Sequence, residues 1–148
     1  MTRAPIGSPP VVILVEADMA VTHAIEFAFG LEGLCIRSYP NGAATLASNQ
    51  LRRAGCLVLD DQLPDMNGLD LLGQLRANGV LTPAILIATN PKAALRERAA
   101  IAGVQIIEKP LLNDGLLDAV RQALDSRSFQ PPGASAPVRR DCGPASLS

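Results

Sequence analysis

Hydrophobic residues along this chain fall into short continuous runs, separated by stretches where they recur every three or four positions. Val11-Val12-Ile13-Leu14-Val15, Cys56-Leu57-Val58-Leu59 and Ala84-Ile85-Leu86-Ile87-Ala88 are the runs, the kind that forms strands buried on both faces of a sheet. Val21, Ala24, Ile25, Ala28 and Leu31 follow helical spacing after the first run, as do Leu69, Leu71, Leu72 and Leu75 after the second. Asp18 stands where it can cap the first of these helices, and Gly30 or Gly33 where the chain can leave it. His23 falls beside Glu26 on the polar side of that helix, a solvated position.

The remaining segments keep the alternation. Leu34 to Tyr39 alternates weakly and reads as an edge strand, with Arg37 and Tyr39 able to reach water. Asn41-Gly42 leads into a helix over about residues 43–52, and Asn78-Gly79 stops the helix over Leu69 to Ala77 before Pro83 admits the next strand. Thr89-Asn90-Pro91 turns into a helix from about Lys92 to Ala102, ended by Gly103. A short strand, Val104 to Ile107, then runs into Glu108-Lys109-Pro110. The last helix is expected over Leu111 to Leu124, with Asp114 near its start and Arg121 near its end, in the sense that the helix dipole favours. Five βα units with right-handed crossovers predict a parallel sheet with helices on both faces.

One domain is expected over residues 11–126, since two would each be marginal in a chain of 148 residues. Residues 1–10 carry three prolines and predict a flexible arm. Residues 127–148, rich in proline, glycine and serine, predict a disordered tail. With only 3% aromatic residues, the core must be built from Leu, Ile, Val and Ala. A net charge of −1 argues against binding to nucleic acid through this domain, although Arg139-Arg140 leaves the tail slightly basic. Cys35, Cys56 and Cys142 are odd in number and lack C-x-x-C spacing, so neither a disulfide framework nor a zinc site is expected. No apolar run approaches the roughly 18 residues of a membrane span, and Pro5, Pro9 and Pro10 do not suit a signal peptide. A cytoplasmic protein with no membrane partner is expected.

The chemistry is concentrated at strand ends. The first run stops on Glu16, the second on Asp60 and Asp61, the third on Ala88-Thr89, and the last short strand on Lys109. In parallel α/β sheets such ends converge on one rim, where ligands bind. Two carboxylates about 4 Å apart repel by about 4 kcal/mol at an effective dielectric near 20, so the rim needs a cation. An Asp carboxylate screened by Mg²⁺ and Lys109 can act as a nucleophile toward phosphorus, giving an acyl phosphate. The plainer reading is that Lys109 neutralises Asp60 in a closed ion pair. Against it, a lysine placed before Pro110 at a strand end is a positioned residue. Nucleotide binding is excluded because neither G-x-G-x-x-G nor G-x-x-x-x-G-K-[ST] follows the first strand.

Three motifs, V-I-L-V-E at the first strand, L-V-L-D-D-Q-L-P-D-M-N-G around Asp60 and I-I-E-K-P at the last strand, together resemble the receiver domains of two-component response regulators. The resemblance covers about Val11 to Leu124. It implies a flavodoxin-like, CheY-like fold with a five-stranded parallel sheet in the order 2-1-3-4-5, and a signalling protein rather than an enzyme. By that resemblance Asp60 is the phosphoacceptor, supplied by a phosphohistidine on a histidine kinase or histidine phosphotransfer protein. Lys109 then pairs with the phosphoryl oxygens, and Glu16, Asp60 and the backbone carbonyl of Gln62 hold Mg²⁺.

Three positions depart from the family pattern. Ala17 replaces the second acid after the first strand, so Mg²⁺ is expected to bind weakly or not at all. The switch hydroxyl falls on Ala88, with Thr89 displaced by one residue as the remaining hydroxyl for the phosphoryl group. The aromatic switch position is Ile106. These departures leave a rival reading, a phosphorylation-independent pseudo-receiver that serves as a protein interaction module. A phosphotransferase or hydrolase would want an acid two residues after the nucleophile, where Gln62 stands. Output is expected through a downstream protein partner, or through the rest of a longer regulator. Leu117 and Leu124 widen the apolar arc of the last helix, which predicts either an interface there, such as a homodimer, or a broader buried face.

Overall fold

The computed structural model describes residues 10–111 and 114–128. The expected arm and tail lie outside these residues, apart from Pro10, Arg127 and Ser128. Five strands, β1 (Val11–Val15), β2 (Cys35–Tyr39), β3 (Cys56–Asp60), β4 (Ala84–Thr89) and β5 (Gln105–Lys109), alternate with five helices. These are α1 (Met19–Leu31), α2 (Gly42–Leu46), α3 (Gly68–Ala77), α4 (Ala93–Ala102) and α5 (Gly115–Ser128). All neighbouring strands are parallel, in the order β2-β1-β3-β4-β5.

The pleat sends alternate residues to opposite faces, and each face meets its own helices. Ile13, Val15, Leu57, Leu59 and Leu86 pack with Leu69, Leu72 and Leu75 of α3 and Ala99 of α4. Val12, Leu14, Val58, Ile85 and Ile87 pack with Ile25 and Phe29 of α1 and with Leu116, Ala119 and Val120 of α5. Full burial of such a side chain contributes about 1.5–3 kcal/mol. That explains why β1 and β3, apolar on both faces, lie at the centre of the sheet, whereas β2, with Ser38 exposed, is an edge.

Several elements differ from expectation. The buried face of α1 is Thr22, Ile25 and Phe29, whereas Ala24 and Ala28 are exposed and Leu31 is 71% exposed. Leu31 lies about 200° around the helix from Phe29, so the two cannot share a face. The helix expected over residues 43–52 stops at Leu46 and resumes only as a single 3₁₀ turn, Leu51–Arg53. Ser48 Oγ accepts the Gln50 N–H and bonds Tyr39 Oη, side-chain partnerships that compete with a continuous helix. The last strand extends to Lys109 rather than stopping at Ile107.

The last helix begins at Gly115, four residues later than expected, so Arg121 lies mid-helix and does not serve the dipole. It pairs instead with Glu32, just past the end of α1. Leu117 and Leu124 of α5 are half-buried against the core, and a Cβ on Gly55 would meet Leu124 at 2.5 Å. Part of the wide apolar arc is therefore taken up within the fold. The caps hold where expected. Asp18 accepts the N–H groups of Ala20 and Val21, and Gly33 and Gly103 adopt positive φ after α1 and α4.

Candidate functional site

The order of strands reverses between β1 and β3, and a crevice at their carboxyl ends follows from that topology. Val15 lies opposite Leu59, which brings Glu16 and Asp60 to the same level, and Thr89 lies opposite Lys109. Glu16, Ala17, Asp18, Asp60, Asp61, Gln62, Thr89 and Lys109 line one cavity of about 270 Å³. Every residue expected at the site therefore borders the same space. Asp18 and Asp61 border it as well. Asp18 was legible only as a helix cap, and its place here comes from α1 starting directly beneath the rim.

Lys109 bridges the two acids. Its Nζ lies 3.1 Å from Glu16 Oε1 and 3.3 Å from Asp60 Oδ1. Glu16 Oε2 accepts the Asp18 N–H at 3.1 Å, and Oε1 has the ion pair with Lys109 but no hydrogen bond. Glu16 and Asp60 are only 2% and 7% exposed, so the charge of Lys109 is what makes two adjacent carboxylates tolerable. Burial raises the Glu16 carboxyl above its ordinary range, helped by the Asp60 charge and opposed by the Asp18 N–H and Lys109. Burial opposes the charge on Lys109, but Glu16 and Asp60 outweigh it and raise its pKa. Asp61 is pushed up by burial, with Arg98 working against the shift.

Asp60 is held by its neighbours. The Gly68 N–H donates to Asp61 O at 2.9 Å and the Asp61 N–H to Ile87 O at 2.9 Å. A Cβ on Gly68 would lie 2.5 Å from Asp60 O, so glycine there permits α3 to start against the end of β3. The loop between carries Gln62, bridged to Asn67, and Asp65. The latter's carboxylate accepts the Gly42 and Ala43 N–H groups, both at 2.9 Å, and these hydrogen bonds lower its pKa. No sequence signal announced that contact, which spans more than twenty residues.

The carboxylates that line the cavity are those of Glu16, Asp18, Asp60 and Asp61. Ala17 offers none, and among the described residues no three acids, histidines or cysteines are grouped to hold a metal. Near the ends of β4 and β5, Ala88 is buried, Thr89 is exposed and Ile106 is half-buried against the α3 and α4 side of the core.

A doubly wound sheet in this order, with acids and a lysine gathered at its switch point, defines a CheY-like α/β domain. The chain belongs to the response regulator receiver domain family, which it matches over residues 12–121, and is thus a receiver domain of two-component signalling. It is 31% identical over 115 residues to response regulator protein TodT of Pseudomonas putida, covering 77% of this chain and 51% of TodT. It is 30% identical over 125 residues to the C4-dicarboxylate transport transcriptional regulatory protein DctD of Pseudomonas aeruginosa, covering 84% of this chain and 27% of DctD. The chain thus spans about half the length of TodT. Among solved structures, response regulator StyR superposes with a TM-score of 0.74 at 29% identity, over 81% of this chain and 61% of StyR. A CheY-like receiver domain protein from Methanospirillum hungatei gives 0.72 at 20% identity, over 81% and 97%, a likeness that speaks for the fold alone. Among the described residues no helix is long and apolar enough to cross a membrane.

Proposed function

We propose that Asp60 is the phosphoacceptor and that Lys109 and Thr89 bind the phosphoryl oxygens. The observation that carries this reading is the Lys109 ammonium 3.3 Å from Asp60 at the switch-point cavity. A histidine kinase or histidine phosphotransfer protein presents a phosphohistidine. The Asp60 carboxylate attacks phosphorus, the P–N bond breaks with its electron pair going to the imidazole nitrogen, and an acyl phosphate remains on Asp60. Lys109 then exchanges its contact with Asp60 for one with the phosphoryl oxygens. Glu16, Asp60 and the Gln62 carbonyl are the groups that would hold Mg²⁺, and the ion would supply positive charge beside the phosphoryl group. With Ala17 contributing no oxygen, that binding is weak. The domain passes its signal to a downstream protein partner and is not an enzyme, consistent with Gln62 standing where a hydrolytic acid would be needed.

A second reading is favoured by Ala88 and Ile106, which replace the hydroxyl and ring of the family pattern. It treats the domain as an interaction module whose partner surface does not depend on phosphate. Incubation with acetyl phosphate, with and without Mg²⁺, followed by intact mass, separates the two. One added phosphate, absent from Asp60→Asn, is expected, and an unlabelled wild-type chain would favour the module.

A further inference from the structure

The loop between β3 and α3 leaves the acceptor strand, lines the cavity with Gln62 and then reaches sideways to α2. Two hydrogen bonds join it to that helix, from the Gly42 N–H to Asp65 Oδ1 and from the Ala43 N–H to Asp65 Oδ2, each 2.9 Å. Both donors belong to the first turn, where backbone N–H groups have no intrahelical partner. The ordinary capping task is already met, because Asn41 Oδ1 accepts the Ala44 N–H at 2.8 Å. Asp65 therefore adds something other than a local cap, namely a tie between two segments.

Contacts beside that tie are close. A Cβ on Gly42 would lie 2.5 Å from Met66 Sδ, so the loop rests directly on the start of α2. Within the loop, the Leu63 N–H donates to Met66 O at 3.0 Å, and Gln62 is bridged to Asn67. The turn is thus closed on itself. Asp65 and Gln62 therefore belong to one closed turn.

We propose that Asp65 is a positioning residue for the Asp60 site, its carboxylate latching the β3–α3 loop to α2 and so fixing where Gln62 stands in the cavity wall. The proposal rests on the reading of Asp60 as phosphoacceptor. Asp65 is exposed and does not line the cavity, so its loss acts through the loop and not on a phosphodonor.

The test compares wild type, Asp65→Ala and Asp65→Asn with acetyl phosphate as donor, together with amide spectra of each. Asp65→Ala is expected to lower the saturating labelling rate about tenfold with the donor KM unchanged. Asp65→Asn, which keeps one oxygen acceptor, is expected to recover part of the rate. The amides of Gln62 and Asp61 should shift with those of Gly42 and Ala43. Equal rates for all three proteins, or a change confined to KM, would overturn the latch. A wild-type chain that takes up no phosphate would refute the phosphoacceptor reading instead. In that event the spectra decide alone, since shifts reaching Gln62 support the latch and shifts restricted to residues 41–44 and 65 overturn it.

Discussion

Two groups of residues, one lining the cavity and one mostly behind it, are built differently. In one, Glu16, Asp60 and Lys109 form a nearly buried ionic cluster with contacts of 3.1 and 3.3 Å. In the other, Ala17 at the cavity wall is joined by two residues that do not line it, the buried Ala88 and the half-buried Ile106, and none of the three brings a charge or a hydroxyl. On the proposed function, Asp60 and Lys109 would make and neutralise an acyl phosphate, whereas Ala17, Ala88 and Ile106 offer no side-chain oxygen or ring to hold a metal tightly or relay the change. That reading separates capture from response, because a ligand shifts a conformational equilibrium only through contacts that differ between its states.

Breaking the ionic cluster should have the largest effect. Lys109→Met leaves Glu16 and Asp60 facing each other without a cation. Loss of about 3 kcal/mol is expected, the low end of the range for breaking a buried pair, because the Lys109 side chain is 18% exposed. Urea unfolding measures it, and adding Glu16→Gln should restore about half, since one of the two unpaired charges is gone. No change in midpoint would mean that the cluster carries no structural charge balance.

The backbone support of Asp60 comes next. In α3, a Cβ on Gly68 would lie 2.5 Å from Asp60 O, whereas a Cβ on Gly73 would meet nothing within 4 Å. Gly68→Ala is expected to cost about 1–3 kcal/mol and to lower labelling of Asp60. Gly73→Ala should stabilise by about 0.5–1 kcal/mol with labelling unchanged. Thermal unfolding of both variants checks the contrast, and equal effects would remove the special status of the α3 start.

Adding an oxygen at position 17 should have a smaller effect than breaking the ionic cluster. Ala17→Asp adds an anionic oxygen beside Glu16 and is expected to tighten Mg²⁺ about tenfold, or about 1.4 kcal/mol. Calorimetric titration reads it directly. Equal affinity for the variant and wild type would show that position 17 does not face the ion.

How much of this was legible in the sequence depended on the range of the interaction responsible. Strands β1, β3 and β4 were readable because an uninterrupted apolar run has few alternatives. Their acidic or polar ends located the rim before any geometry was known. The buried face of α1 was not, since Ala24, Ala28 and Leu31 share helical spacing with Ile25 and only packing against the sheet selects Thr22 and Phe29 instead. The shortened α2 depends on Ser48 side-chain bonds with Tyr39 and Gln50, which propensity does not report. Lys109 was foreseen beside Asp60, but its simultaneous contact with Glu16 required the register of β1, β3 and β5. The tie from Asp65 to Gly42 and Ala43 is invisible to any local pattern.

Amide NMR of the wild-type domain, with beryllofluoride as phosphoryl mimic at saturating Mg²⁺, tests the separation of capture from response most directly. The expected result is large shifts at residues 16–18, 60–62, 89 and 109, with α4 from Ala93 to Ala102 little changed. Shifts spreading across α4 would show an intact relay, and the absence of shifts around Asp60 would show that the cluster does not capture the group; either would contradict the account.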